Sequence, residues 1–376
     1  MRVCYFGTYR ANYPRNQIMI EGLRRNGVEV IECHVPLWTG IEDRVRAASG
    51  GWLRPVFIRR VVRTYWKLLS AYRQVGDYDV MVLGYPGQID VYLARVLTWL
   101  RHKPLVLDLF MSLYLIASER GLVERHPLSG RLIYWLEKIA CLLPDLLIKD
   151  TAEYAEWIGQ MYGLAPDRFR LVPTGADDRI FRPVVAPPRP DGRFRVLYYG
   201  TFIPNHGVDQ IVRAAALLKG EPDVEFELVG TGPEQPLAKT LAYELGADNI
   251  TFVDWIDKEE LPYRISSADV CLGAFGQTQQ SLCTVQNKIY EGLAMHRPVL
   301  TGDSPAVRAT LIHGRHAYVV PRNDPVALAE AILTLKADGT LRERLASDGY
   351  RLFQSRFTPT MLGAQMVAHL QEVSRR

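Results

Sequence analysis

The sequence predicts an α/β protein of two doubly wound, parallel-sheet domains. Three observations carry this. Short apolar strands alternate with amphipathic helical stretches through the first half. A proline-crowded segment then breaks the pattern, with Pro183, Pro187, Pro188 and Pro190 between Phe181 and Arg193. After it the alternation restarts. Strands separated by crossover helices pair in parallel and are covered on both faces. At 376 residues the chain is too long for one ordinary core, so two domains are the natural division.

Taken in order, residues 3–6 read as a strand, Gly7 as the turn after it, and 17–26 as a helix closed by Gly27. Residues 28–33 make a second strand. Buried-type strands follow at 80–83 and 105–109, with a helix over 91–101 between them, and the rule continues at 146–149 and 170–172. Gly7 falls at the carboxyl edge, where such sheets bind ligands; it equally suits a plain turn. In the second half, 195–199 is a strand, Gly200 its turn and 208–218 a helix. The strand 225–229 ends at Gly230-Thr231-Gly232, and strands at 250–253, 270–273 and 298–301 follow. Residues 357–373 read as a terminal helix. The domains are therefore 1–182 and 194–356, joined by a stiff linker at 183–193 and followed by the helix within 357–376.

Composition narrows the class. At 48% hydrophobic and 23% charged the chain is ordinary globular protein. A net charge of +4 gives no argument for nucleic acid, and none is expected as a partner. The five cysteines are scattered without a CxxC pair, which fits a reduced cytoplasm better than a disulfide scaffold. Met1 leads directly into a strand, with no signal-type apolar region. Asp108 interrupts the best apolar run, so no transmembrane helix is expected. Gly230-Thr231-Gly232-Pro233 lacks the third glycine of a dinucleotide fingerprint.

One stretch carries chemistry. Residues 283–300 read as a helix running into a strand. Asn287 and Lys288 stand at the helix start, where backbone N–H groups lack partners and the dipole favours an anion. Glu291 lies on the same face as Lys288, three residues on. A cation and a carboxylate so placed suit an anionic group and a hydroxyl-bearing ring of one ligand. They equally suit the polar face of an amphipathic helix.

Asn-Lys-Ile-Tyr-Glu-Gly-Leu-Ala at 287–294, followed by Pro298-Val299, closely resembles the C-terminal donor-site motif of family 4 glycosyltransferases. These are retaining enzymes of the GT-B fold, in which two doubly wound, Rossmann-like domains face a cleft. The resemblance covers most of the second domain and the first in outline. It implies transfer of a sugar from a UDP- or GDP-linked nucleotide-sugar to a glycan or lipid-linked acceptor, in cell-surface polysaccharide or glycolipid synthesis. Glu291 then holds the ribose hydroxyls and Lys288 the diphosphate, with Thr284 and Asn287 beside them. Cys283 stands where the family carries a second Glu that contacts the transferred sugar, a departure that bears on sugar preference. Residues 198–207 resemble the strand, loop and helix that face the diphosphate, with Gly200, Thr201, His206 and Gly207 in the loop. Most members carry Arg and Lys there. A hydroxyl and an imidazole donate fewer and weaker bonds, which leaves Lys288 most of the charge. Gly230 and Gly232 match the second glycine turn. Trp255 and Ile256 fall where the family holds the nucleobase, although Trp255 suits packing as well.

In the first domain Asp108 matches the loop facing the reacting sugar. It suits orientation of an acceptor hydroxyl and equally a helix cap. The resemblance further implies front-face attack, with the leaving diphosphate taking the acceptor proton, no metal or other cofactor, and a terminal helix that crosses back to the first domain. Two other readings stay open: a non-catalytic sugar-nucleotide-binding protein, encouraged by Cys283, and an NAD-dependent oxidoreductase, from the paired α/β units.

A last feature is independent of any motif. From Arg44 to Gln74 there is no acidic residue. Arg59, Arg60, Arg63, Lys67 and Arg73 span an arc of roughly 140° at helical spacing. Phe57, Ile58, Val61, Tyr65, Leu68, Leu69 and Tyr72 occupy the other side. This reads as a core-facing helix with a basic solvent face, as an interfacial helix on anionic lipid at the inner membrane face, or as both at once.

Overall fold

The computed structural model describes residues 1–37, 54–186 and 192–375. Pro187, Pro188, Pro190 and the part of the acid-free stretch before residue 54 lie outside the described residues. The chain forms two units, Met1–Pro173 with Pro359–Arg376, and Thr174–Thr358.

The first unit is a parallel six-stranded sheet in the order β2-β1-β3-β4-β5-β6. Its strands are β1 (Arg2–Gly7), β2 (Glu29–His34), β3 (Val80–Leu83), β4 (Leu105–Asp108), β5 (Leu146–Lys149) and β6 (Phe169–Leu171). β3, β4 and β5 are buried at every position, as parallel strands covered on both faces must be. The strand order steps one way from β1 to β2 and the other way afterwards. Right-handed crossovers therefore place the helix Pro14–Arg25 on one face. They place Pro55–Tyr72, Asp90–Leu100 and Pro127–Leu142 on the opposite face.

The helix Pro359–Ser374 packs against Pro14–Arg25 at glycine. A side-chain carbon added at Gly363 would lie 2.1 Å from the Gly22 carbonyl oxygen, so both helices need a bare backbone there. Leu362, Met366, Leu370 and Val373 enter the same core as Tyr5, Ile18, Val82 and Ile148. The single helix expected over 357–373 starts instead at Pro359, after a separate helix Gly339–Arg356.

Two site residues expected from the sequence take other roles in this unit. Asp108 sits at the end of β4 with its side chain 0% exposed, paired to an equally buried Arg15. Arg15 Nε donates to Oδ2 at 2.8 Å and Nη2 to Oδ1 at 3.0 Å. Nη1 donates to the carbonyls of Val172 and Pro173. Both carboxylate oxygens are thus engaged, and Asp108 neither faces an acceptor nor caps a helix. Ser112 makes the cap, accepting from the Leu115 amide. Gly7 has an equally local reason. The buried Asp90 carboxylate accepts from the Thr8 amide at 2.7 Å and from the Tyr65 hydroxyl at 2.7 Å, and a side-chain carbon on Gly7 would lie 2.4 Å from Asp90 Oδ2. An anionic ligand at Gly7 would meet that carboxyl, whose pKa burial raises to about 6.

The second unit is a parallel six-stranded sheet in the order β12-β11-β10-β7-β8-β9. Its strands are β7 (Phe194–Tyr199), β8 (Val224–Val229), β9 (Ile250–Val253), β10 (Val270–Leu272), β11 (Val299–Gly302) and β12 (Tyr318–Val320). Residues 174–182, grouped with the first domain by sequence, fold here, because Ala176 and Phe181 are buried with Tyr199, Ile289 and Phe357. Among the described residues no helix is long and apolar enough to cross a membrane.

Removing one partner of a buried ion pair leaves the other charge uncompensated, at about 3–5 kcal/mol. Asp108→Asn is expected to lower the urea stability of the first unit by about that amount. A loss below about 1 kcal/mol would show that Arg15 is solvated instead.

Candidate active site

The helix Asn287–Ala294 buries Ile289, Tyr290, Leu293 and Ala294 against the second unit's core. Its N-cap residue, Gln286, makes no side-chain capping bond; its carbonyl takes the Ile289 N–H at 3.0 Å, which leaves the N–H groups of Asn287 and Lys288 without a cap side chain. Lys288 follows. It is 5% exposed, yet its Nζ has no hydrogen-bond partner among the described residues. The ammonium lies 3.9 Å from the centroid of the Tyr198 ring. Burial pushes its pKa well below the usual lysine range, and the Glu291 carboxylate pulls weakly the other way.

Glu291, one turn on, is partly accessible. Burial raises its pKa to about 7, against the Tyr199 hydroxyl and the Lys288 charge. That hydroxyl also donates to the Lys288 carbonyl at 3.0 Å.

The loops at the carboxyl ends of β7 and β8 close around the lysine. Gly200, at φ +139°, leaves room for it: a side-chain carbon there would lie 3.0 Å from Lys288 Nζ and 3.7 Å from His206 Cε1. One at Gly230 would lie 2.0 Å from the Gly200 carbonyl oxygen. Gly207 begins the helix Val208–Leu217, against the Gly276 backbone, and Gly232 lies against Phe202.

His206 is held as an uncharged ring. Its Nδ1 lies 2.6 Å from the Thr201 carbonyl and 2.9 Å from the Tyr198 hydroxyl. Burial first, then the charges of Lys288 and Arg322, holds its pKa well below the usual value. The imidazole is therefore neutral, and Thr201 contributes a carbonyl that orients it.

Lys288, Glu291, Gly200, Thr201, His206 and Gly230 thus converge, with Asn287 at the open helix start. Cys283 and Thr284 turn inward. Gln279 Nε2 lies 3.0 Å from Cys283 Sγ, and Thr284 Oγ1 donates to the Gln280 carbonyl. Trp255 lies two residues beyond β9 and is 74% exposed, so the packing role is overturned. Ile256 packs against the core. Gly7 and Asp108 belong to the other unit.

Arg322 escaped the sequence reading. Buried just past β12, it donates from Nε to the Asp303 carbonyl and from Nη1 to the Gly276 carbonyl and Ser281 Oγ. Its Nη2 has no partner among the described residues, and burial lowers its pKa to about 10. Its position at a strand's carboxyl end was the available signal.

Residues 193–338 match the family described as "Glycosyl transferases group 1". The chain is 27% identical over 283 residues to the alpha-D-kanosaminyltransferase of Streptomyces kanamyceticus, covering 72% of this chain and 71% of that one. It is 29% identical over 281 residues to the phosphatidyl-myo-inositol mannosyltransferase of Mycobacterium leprae, covering 73% and 68%. It spans about half the length of other curated relatives. In fold it is similar to a sucrose-phosphate synthase from Thermosynechococcus elongatus (TM-score 0.74, 19% identity, 99% and 98% covered). It is likewise similar to the Anabaena HepE protein in complex with UDP-glucose (TM-score 0.69, 16% identity, 99% and 100% covered). The architecture is that of a two-domain, Rossmann-like GT-B protein. By enzyme class the protein is a glycosyltransferase.

A neutral His206 predicts no titration between pH 6 and 8. Its Cε1 carbon shift should stay flat across that window by NMR, and His206→Ala should weaken nucleotide binding equally at both ends. A midpoint inside the window would return a cationic role to it.

Proposed function

We propose that this enzyme moves a sugar, with retention of configuration, from a UDP- or GDP-linked donor to a glycan or lipid-linked acceptor. The role that fits is cell-surface polysaccharide or glycolipid synthesis, in the cytoplasm and in peripheral contact with the inner face of the membrane. One observation carries the donor half: the buried Lys288 amino group, without a hydrogen-bond partner among the described residues, beside Gly200 and a helix start with no side-chain cap. Burying a cation without a partner is costly, and a diphosphate would supply the missing oxygens as charge-assisted bonds. Glu291, one turn further, would accept from two ribose hydroxyls. UDP-glucose in the Anabaena neighbour supports a nucleotide-sugar donor, and the lipid named in the mycobacterial relative supports a lipid-linked acceptor.

In this reading charge grows on the leaving diphosphate as the glycosidic bond breaks. Lys288 and the helix N–H groups meet that charge in a water-poor site. The leaving oxygen takes the acceptor proton, so no second carboxylate acts as nucleophile. Incubation with a panel of UDP- and GDP-sugars, with and without candidate acceptors, tests the reading through nucleotide release and the anomeric configuration of the product. Inverted product would end the retaining assignment.

Binding should also move a proton. Lys288 has a lowered pKa before the diphosphate arrives, and an anion raises it, so the complex takes up a proton. At pH 8.5, above the value of about 7 for Glu291, that carboxyl is already ionised and adds nothing to the uptake. Calorimetry of UDP or GDP binding in buffers of different ionisation enthalpy should show uptake in the wild type and none in Lys288→Met. Buffer-independent heats would mean that Lys288 is already charged.

Glu291→Gln should weaken nucleoside diphosphate binding by roughly 1.5–3 kcal/mol with little change in melting temperature. A 2′,3′-dideoxy nucleotide should lose almost nothing further in the variant. Simple additivity of the two losses would remove Glu291 from the ribose.

A further inference from the structure

Three helices of the first unit share the face described above, and each turns apolar side chains away from the sheet. On Pro127–Leu142 these are Leu128, Leu132, Trp135, Ile139 and Leu142. Spacings of four and three residues put them on one stripe, opposite the buried Gly130, Glu137 and Cys141. Leu128 is 81% exposed and Trp135 55%. On Asp90–Leu100 the exposed set is Val96, Trp99 and Leu100, with Trp99 at 76%. On Pro55–Tyr72 it is Ile58, Val62 and Trp66, one turn apart. Ile58 therefore leaves the core side that sequence periodicity gave it, while Leu68 and Tyr72 are buried as expected.

The three helices are bonded side by side. Tyr65 donates to Asp90 at 2.7 Å, and Tyr92 donates to the Leu136 carbonyl at 2.6 Å. Arg95 pairs with Asp145 just past Leu142, which sets Val96, Trp99 and Leu100 beside the Ile139–Leu142 end. The apolar stripes thus form one surface rather than scattered residues.

The charges that these three helices expose have one sign, and the one acid at their edge, Asp145, is paired with Arg95. The acids within these helices are Asp90 and Glu137, and both are buried. Arg59, Arg63, Lys67 and Arg131 are exposed. Arg59, Arg60, Arg63 and Lys67 line a groove of about 650 Å³ with Val35 and Pro36, and Lys138 lies 5.4 Å over the Trp135 ring. A water-soluble surface has no reason to gather three tryptophans and a line of leucines among cations alone. A second copy of the same face would be repelled by its charge. A bilayer with anionic headgroups matches both halves, because tryptophan and leucine enter the headgroup boundary while Arg and Lys meet phosphate.

We propose that the outward face of Pro55–Tyr72, Asp90–Leu100 and Pro127–Leu142 docks on an anionic lipid bilayer, with Trp66, Trp99 and Trp135 as its inserted anchors. This rests on the membrane part of the function proposed above and gives it a surface. Docking is led by apolar insertion on two helices that carry no part of the basic stripe read from the sequence.

The test is co-sedimentation with vesicles of phosphatidylcholine, with and without phosphatidylglycerol, at low and high salt. UDP and GDP binding is measured separately without vesicles. The wild type should bind anionic vesicles, and part of that binding should survive high salt. Trp99→Ser with Trp135→Ser should weaken it about tenfold or more while melting temperature and nucleotide binding stay unchanged. Arg59→Gln, Arg63→Gln and Lys67→Gln together should remove the salt-sensitive part. Brominated lipid should quench wild-type tryptophan fluorescence more than that of Trp135→Phe. No vesicle binding with intact nucleotide binding overturns the docking surface and leaves the transferase reading standing. Full binding in the double tryptophan variant overturns it too, as does a wild-type dimer that this variant dissociates in the ultracentrifuge. Loss of nucleotide binding in the vesicle-free assay bears on the transferase reading alone.

Discussion

The active site depends on an unfavourable act, the burial of a lysine amino group that has no hydrogen-bond partner among the described residues. Lys288 rests on the Tyr198 ring in a gap kept open by Gly200. A cation over an aromatic face recovers only part of what water supplied, so the group is held ready for an anion. The neighbours fit that constraint. A second full charge at His206 would add repulsion, and the imidazole is instead held neutral against the Thr201 carbonyl. Arg322 ties down the loops at Gly276 and Asp303 by donating to their carbonyls. The glycines at 200 and 230 bring two strand ends to backbone contact, which no side chain would allow.

Much of this was legible in the sequence, and the failures have physical causes. Strand and helix alternation is a local signal, so β1 to β11 could be read with boundaries off by a residue or two, while the three-residue edge strand β12 was missed. Lys288 and Glu291 could be placed because they share one short helix, whose geometry is fixed by spacing. Asp108 and Gly7 were misread because their partners, Arg15 and Asp90, lie far away in the chain. A strand end names an address, and only tertiary packing says whether a side chain of the same protein already occupies it.

The helix Pro127–Leu142 shows a different limit. Apolar residues at helical spacing reveal that a face exists, not which way it turns. Here the stripe from Leu128 to Leu142 faces outward, and the side against the sheet is built from Gly130, Ala140, Cys141 and a fully hydrogen-bonded Glu137. Small residues and a hydrogen-bonded acid do the inward packing, so hydrophobicity alone would point the wrong way. The same ambiguity hid Val62 and Trp66 on Pro55–Tyr72.

The glycine contact between Gly22 and Gly363 has a consequence for how the protein is made. The first unit takes its core from both ends of the chain, with Leu362, Met366, Leu370 and Val373 completing it, while the second unit is one uninterrupted stretch. On the ribosome the earlier-made segment must wait. Its sheet can pair, but the face covered by Pro14–Arg25 stays open until Pro359–Ser374 has emerged. The later-made unit can close first. During synthesis the nascent chain therefore carries an unfinished greasy seam for as long as translation of the whole second unit takes, a natural target for holding chaperones.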